Sequence, residues 1–148
     1  MSDFTEEKRR AERVAITLPV SVLLLDDWND VVLAGPVDAV AKNFSPMGLA
    51  LSLANIKIDN YHLFFTCQDN SSHILRIDLR LPSAPETVVQ LPARPIWYDR
   101  DKDSSDEKRA LLGVEFLLKP KDRAIKRLVK ELAAAGLAPP SWWQKKIF

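Results

Sequence analysis

Apolar and polar positions alternate in short blocks along most of the chain, then switch to a helical period near its C-terminal end. Val14 to Leu25 alternates and fills with Val, Ile and Leu, which predicts a strand. Asp26-Asp27-Trp28-Asn29-Asp30 predicts a turn, and Val31 to Val40 a second strand broken at Gly35-Pro36. A third strand begins at Gly48 and runs to Leu53. His62 to Thr66 and Ile74 to Leu81 flank the polar run Gln68-Asp69-Asn70-Ser71-Ser72, which predicts two strands joined by a hairpin loop. Val88 to Tyr98 and Leu111 to Leu118 add two more across an acidic loop. About seven short strands at this spacing belong to a barrel or a sandwich.

From Asp122 to Ala135 the pattern changes. Ile125, Leu128, Val129 and Leu132 fall on one helical face. Gly136 stands where a C′ glycine ends a helix, and Pro139-Pro140 prevent its continuation. The predicted organisation is a flexible charged arm over 1–13, a β-barrel over 14–118, a helical segment over 119–136 and an aromatic, basic tail over 137–148. The fold class is therefore mainly β, with a C-terminal amphipathic α-helix.

At 148 residues, 47% hydrophobic and 28% charged, the chain suits one soluble domain. Its single cysteine, Cys67, excludes an intrachain disulfide framework, and no Cys/His spacing suggests zinc. No stretch approaches the ~18 apolar residues of a membrane span. The first thirteen residues are mostly polar and charged, unlike a secretory signal, so the cytoplasm is expected. The net charge of +1 hides an asymmetry. Lys119 to Phe148 holds eight Lys/Arg against two acids, a local +6 that leaves residues 1–118 at −5. A basic C-terminal segment on a mildly acidic body suits an acidic partner, an anionic membrane or nucleic acid, or simply a solvated helix face.

Two short motifs about thirty residues apart carry the candidate chemistry. Arg9-Arg10-Ala11-Glu12-Arg13 is an R-x-x-x-R pattern just before the first strand. Four residues apart, Arg9 and Arg13 share a side in either an extended or a helical segment. Two guanidinium forks converge, each suited to a phosphate or to the O6/N7 edge of guanine. Arg10 can join them from a flexible arm. Asn43-Phe44-Ser45-Pro46-Met47-Gly48 is an N-x-S-x-x-G pattern on the turn into the third strand. Asn43 offers an amide that donates and accepts, and Ser45 a rotatable hydroxyl. Gly48 permits a positive φ or a close backbone approach. Turn-forming residues are also common for conformational reasons alone.

In this order, and in a chain of this size, the two motifs resemble the two halves of a PilZ domain. The resemblance continues through Pro95-Ile96-Trp97, Gly113-Val114-Glu115-Phe116 and the C-terminal helix, and covers roughly residues 8–135. PilZ domains are bacterial receptors for cyclic di-GMP. The resemblance implies an antiparallel β-barrel of about six to seven strands with a C-terminal helix. It implies that Arg9 and Arg13 bind phosphate and guanine, with Arg10 an extra contact. Asn43 and Ser45 would contact guanine and Gly48 would shape the turn. Trp97 is a candidate to stack on a base, although a strand tryptophan is more often core. Position 43 is Asn where many members carry Asp, Ala54 to His73 is longer than the usual connection, and the tail is an addition.

Other signals point nowhere further. Asp99-Arg100-Asp101-Lys102-Asp103 lacks the glycine and glutamate of a calcium loop and is expected to be a solvated acidic hairpin. His62 and His73 have no third ligand nearby in sequence, and Cys67 reads as a small core residue. With four glycines and no nucleotide-gripping or nucleophile-elbow motif, no catalytic set, metal or cofactor is expected. The expected function is a cytoplasmic, non-enzymatic cyclic di-GMP receptor that relays signal to a protein partner. One alternative is a PilZ-like adaptor that binds no nucleotide. A nucleic-acid-binding barrel is disfavoured, because its strands would be basic and aromatic. Trp142, Trp143, Ile147 and Phe148 in the tail would pack on the barrel, a second copy of the chain, or a partner. Ser141-Trp142-Trp143-Gln144 has the form of a capping box, which predicts a short docked helix, and Lys145 and Lys146 favour an acidic partner over a membrane.

Overall fold

The computed structural model of the chain describes residues 14–82 and 84–134. Arg9, Arg10, Arg13, Gly136 and the 137–148 tail lie outside the described residues. The elements run β1 (Val14–Asp26), β2 (Val31–Ser45), β3 (Gly48–Leu53), β4 (Lys57–Ile58), β5 (Tyr61–His62), α1 (Leu63–Asp69), β6 (His73–Leu81), β7 (Ala84–Arg100), β8 (Ala110–Phe116) and α2 (Arg123–Ala134). Six of the strands close a barrel in the order β1-β2-β3-β8-β7-β6, and β6 returns antiparallel to β1. Closure leaves these six strands without an open edge to template aggregation. The expected barrel is thus present, and β4 and β5 form a separate two-stranded ribbon.

Alternation decides which side chains enter the barrel. On β6, Leu75, Ile77, Leu79 and Leu81 are buried, while Arg76 and Asp78 face outward and form a two-point ion pair at 2.9 and 3.0 Å. Each fully buried Leu or Ile contributes about 1.5–3 kcal/mol, so the interior rows dominate the stability of the fold. Phe44, at the second position of the N-x-S-x-x-G motif, is fully buried and lies 5.9 Å from Phe116, ring centre to ring centre. α2 adds Ile125, Leu128, Val129 and Leu132 to the same core, as its helical spacing predicts. Asp122 caps it: the carboxylate accepts the Ala124 N–H at 2.9 Å.

Three expectations need correction. His62 to Thr66 is not a strand. After β5 the chain enters α1, which buries Leu63 and Cys67, four residues apart on one helical face. His62 starts the helix by accepting the Phe65 N–H on Nδ1 at 3.2 Å, and Asn70 ends it by donating its N–H to the Thr66 carbonyl at 3.1 Å. Five residues, three of them apolar, are too few for periodicity to separate helix from strand. The polar run after it is therefore a helix end and a turn, not a hairpin loop. β2 also continues past Gly35-Pro36 to Ser45 as one strand, and the expected break is present only as a slip in its pairing with β1 between Ala34 and Val37. Lastly, the acidic segment 99–103 is not a fully solvated hairpin. Asp101 is 2% exposed and accepts the Ser52 hydroxyl at 2.6 Å. Arg109 Nε donates to Ser52 Oγ at 2.7 Å, and the Lys42 ammonium stands 3.6 Å from the carboxylate. Charge spacing along the sequence could not show that β3 supplies the hydroxyl that draws this carboxylate inward.

Candidate functional site

The N-x-S-x-x-G turn is built from its own side chains. Asn43 sits at φ 54°, a left-handed conformation that Asn and Asp tolerate better than most residues. Ser45 is buried, and its hydroxyl oxygen accepts the N–H groups of Met47 at 3.2 Å and Gly48 at 3.3 Å. The same hydroxyl reaches the Gly48 carbonyl at 3.3 Å. At Gly48 the demand is a close approach rather than a positive φ, because a Cβ there would run into the Val114 carbonyl oxygen. All three motif positions therefore have a conformational role, whatever else they do.

The wall beside this turn is the outer face of β2, β3, β8 and β7. Cross-strand pairing aligns Lys42 with Ala50, Ala50 with Gly113 and Gly113 with Trp97. Opposed residues share a face of a sheet, so a lysine, two small residues and an indole form one row across the barrel exterior. The pairing of β7 with β8 slips between Pro95 and Trp97, a bulge that leaves Ile96 unpaired and turns Trp97 outward. A Cβ on Gly113 would collide with the Trp97 ring, so the indole lies directly against the glycine. Trp97 is 37% exposed, a surface residue and not the core residue that a strand tryptophan usually is.

Asn43, Ser45, Gly48 and Trp97 line one cavity of about 130 Å³, together with Gly113 and Glu115. The turn and the tryptophan, distant in sequence, thus meet on the barrel exterior. This volume is well below the ~300 Å³ at which pockets begin to enclose a drug-sized ligand, so the cavity can hold only part of a larger ligand and leaves the rest on the surface. Glu115 was not singled out by the sequence motifs. The alternation of β8 carries the signal: Leu112, Val114 and Phe116 point inward, which puts Gly113 and Glu115 outward at the site.

The remaining titratable groups lie away from the seat. The Ser52 hydrogen bond holds Asp101 below its ordinary value of 3.8, against a smaller upward push from burial. Burial pushes the Cys67 thiol up to about 11, only partly countered by Arg94, which suits an inert core cysteine. Desolvation, and then the charge of Lys57, lowers His62. His73 Nδ1 is within 2.9 Å of the Thr66 hydroxyl. Among the described residues, no three His, Cys, Asp or Glu side chains group to hold a metal ion. Among the same residues, no helix is long and apolar enough to cross a membrane.

Fold and cavity together define a small antiparallel barrel that carries its seat on the outer wall rather than in the lumen. The sequence pattern of the PilZ domain matches residues 7–134, and the chain belongs to the PilZ domain family. Two solved structures share the fold. The Bacillus subtilis Inhibitor of motility (MotI/DgrA) aligns with a TM-score of 0.54 at 19% identity, over 87% of this chain and 51% of that one. This chain thus spans about half the length of that structure. The PilZ domain of YcgR from Escherichia coli, solved with c-di-GMP, aligns with a TM-score of 0.54 at 11% identity, over 94% and 93% of the two chains. At these identities the likeness is one of fold. No curated protein matches the chain.

Proposed function

We propose that the protein is a cyclic di-GMP receptor that passes the state of its site to a protein partner, acting as an adaptor and not as an enzyme. The observation that carries this reading is the shared cavity of Asn43, Ser45, Gly48 and Trp97. It places amide and carboxylate groups beside an exposed indole, a combination suited to one guanine base: edge contacts from Asn43 and Glu115, stacking from Trp97. A seat this shallow needs a second element to cover a dianionic dinucleotide. Arg9 and Arg13, with Arg10 beside them, would close over the ligand from the arm that precedes β1. Ligand-dependent ordering of that arm supplies the change that a partner reads. The PilZ domain of YcgR solved with c-di-GMP supports the ligand class.

A second reading is favoured by the turn itself. Because Asn43, Ser45 and Gly48 each serve the turn conformation, an adaptor that binds no nucleotide would keep them too. The arm separates the two. Titration of the full chain with cyclic di-GMP, followed by calorimetry and tryptophan fluorescence, is expected to show salt-sensitive binding. Arg9→Ala and Arg13→Ala are each expected to weaken it about ten- to a hundredfold, for loss of charge-assisted bonds of roughly 1.5–3 kcal/mol. The melting midpoint should barely change. Absence of binding by the parent chain would favour the nucleotide-free adaptor.

A further inference from the structure

The outward face of α2 carries a surface unrelated to the cavity. Among the described residues, Lys121, Arg123, Lys126, Arg127 and Lys130 line a groove of about 560 Å³. All but Lys126 are exposed, and Lys126 is half-buried. Asp122 supplies the acid at the N-terminal end of the helix, and the basic residues of the groove extend along its exposed side from Lys121 to Lys130.

We propose that this groove docks an acidic segment of a partner protein, a short run of Asp or Glu side chains. The proposal rests on the adaptor half of the function above and is independent of the nucleotide half. Arg123 to Lys130 rises about 10 Å at ~1.5 Å per residue. An extended segment covers that distance with about three to four residues, so about three to four closely spaced carboxylates would fill it. Three features favour such an occupant over a membrane or a nucleic acid. The cations converge on a concavity, whereas a bilayer meets only charges that project. Ile125, Leu128, Val129 and Leu132 are all buried in the barrel, so these apolar residues of α2 are not available to enter a lipid interface. Residues 1–118 carry −5, which repels an extended polyanion but matters little to a short acidic segment.

The test is fluorescence anisotropy with a labelled peptide of five consecutive glutamates between Gly-Ser flanks, against the same peptide with glutamines. The full chain at low salt is expected to bind the glutamate peptide and not its glutamine counterpart. Arg123→Glu combined with Arg127→Glu should reduce binding by roughly tenfold or more. Lys57→Glu with Arg80→Glu, a reversal of the same size elsewhere, should change it by less than about twofold. Circular dichroism melts accompany each variant, and Arg123→Gln with Arg127→Gln replaces the reversal pair if that pair is unfolded. Equal binding of both peptides, no binding, or equal loss in the control pair would overturn the proposal. Tighter binding to phosphatidylserine vesicles or to a DNA duplex than to the glutamate peptide would also overturn it. Cyclic di-GMP titrations of the same samples keep the two readings apart. A chain that takes the peptide but not the nucleotide upholds the groove and removes the receptor reading. The reverse result does the opposite.

Discussion

Asn43 combines two roles that a substitution can pull apart. Its backbone sits at φ 54° and its side chain lines the cavity. A non-glycine residue without a local polar side chain costs roughly 1–2 kcal/mol in that conformation. Asn43→Ala is therefore expected to lose about 1 kcal/mol of stability as well as ligand affinity. Asn43→Gly should retain stability and still lose affinity, because the backbone is satisfied while the amide is gone. Denaturant melts set beside cyclic di-GMP titrations decide the matter, and wild-type affinity in the glycine variant would leave Asn43 a turn residue only. Glu115 tests whether the cavity takes a guanine edge. A carboxylate accepts from the adjacent donors of guanine more strongly than an amide, yet it also repels the phosphates. If it faces the base, Glu115→Gln weakens binding about three- to tenfold, the lower end of a charge-assisted bond. Stronger binding in that variant would place Glu115 next to a phosphate instead.

At the scale of elements, α1 and the 101–109 loop each depend on one titratable group. His62 accepts the Phe65 N–H at the start of α1 only while its ring is neutral, and desolvation with the nearby Lys57 lowers its pKa from 6.5. A depressed value means that this contribution is complete above 6.5 and is lost as the pH falls through the folded-state value. Amide exchange in α1 should quicken on acidification below 6.5, and His62→Asn, which caps without titrating, should remove the effect. Asp101 behaves likewise at lower pH. Its value is held below 3.8, so its contribution is full above 3.8 and disappears as the pH falls through the lower folded value. Asp101→Ala should cost about 1–3 kcal/mol at neutral pH by leaving the Ser52 hydroxyl without its acceptor and removing the carboxylate beside Lys42 and Arg109, and the variant's stability should fall less steeply in acid than the parent's. Neither device was legible in the sequence. The long strands and α2 were, because each repeats its period over enough residues to fix a buried face. α1 was missed because a five-residue run with three apolar positions fits both periods, and Asp101 because its partners come from β2, β3 and the far side of its own loop. At the site, the motifs showed Asn43, Ser45 and Gly48. The bulge at Ile96 and the contact of Trp97 on Gly113 exist only once β7 and β8 are paired.

Over the whole molecule, the proposed function draws on the barrel with α2 and on the sequence segments at either end. The barrel and α2 share one apolar core, and the cavity lies on the outer wall near the end where β8 finishes and α2 follows. The arginine arm enters β1 at that same end, since Val14 pairs with Phe44 beside the Asn43–Gly48 turn. This placement suits the proposed closure of residues 1–13 over a ligand on the wall, because they join the barrel in sequence at that end. The tail has no such tie to the cavity in the sequence. Trp142, Trp143, Ile147 and Phe148 together carry enough apolar surface to demand a cover. Removal of residues 141–148 is expected to leave the melting midpoint within a few degrees, about what 1 kcal/mol represents in a domain of this size. Cyclic di-GMP affinity should stay within about threefold, a change of less than 1 kcal/mol. Self-association, read by light scattering coupled to size exclusion, should fall if a second copy covers the tail. If a different protein covers it, the oligomeric state should not change and the loss should appear in partner binding. A truncated chain that keeps its melting midpoint but no longer binds the nucleotide would place the tail against the cavity, and one that unfolds would make the tail part of the core.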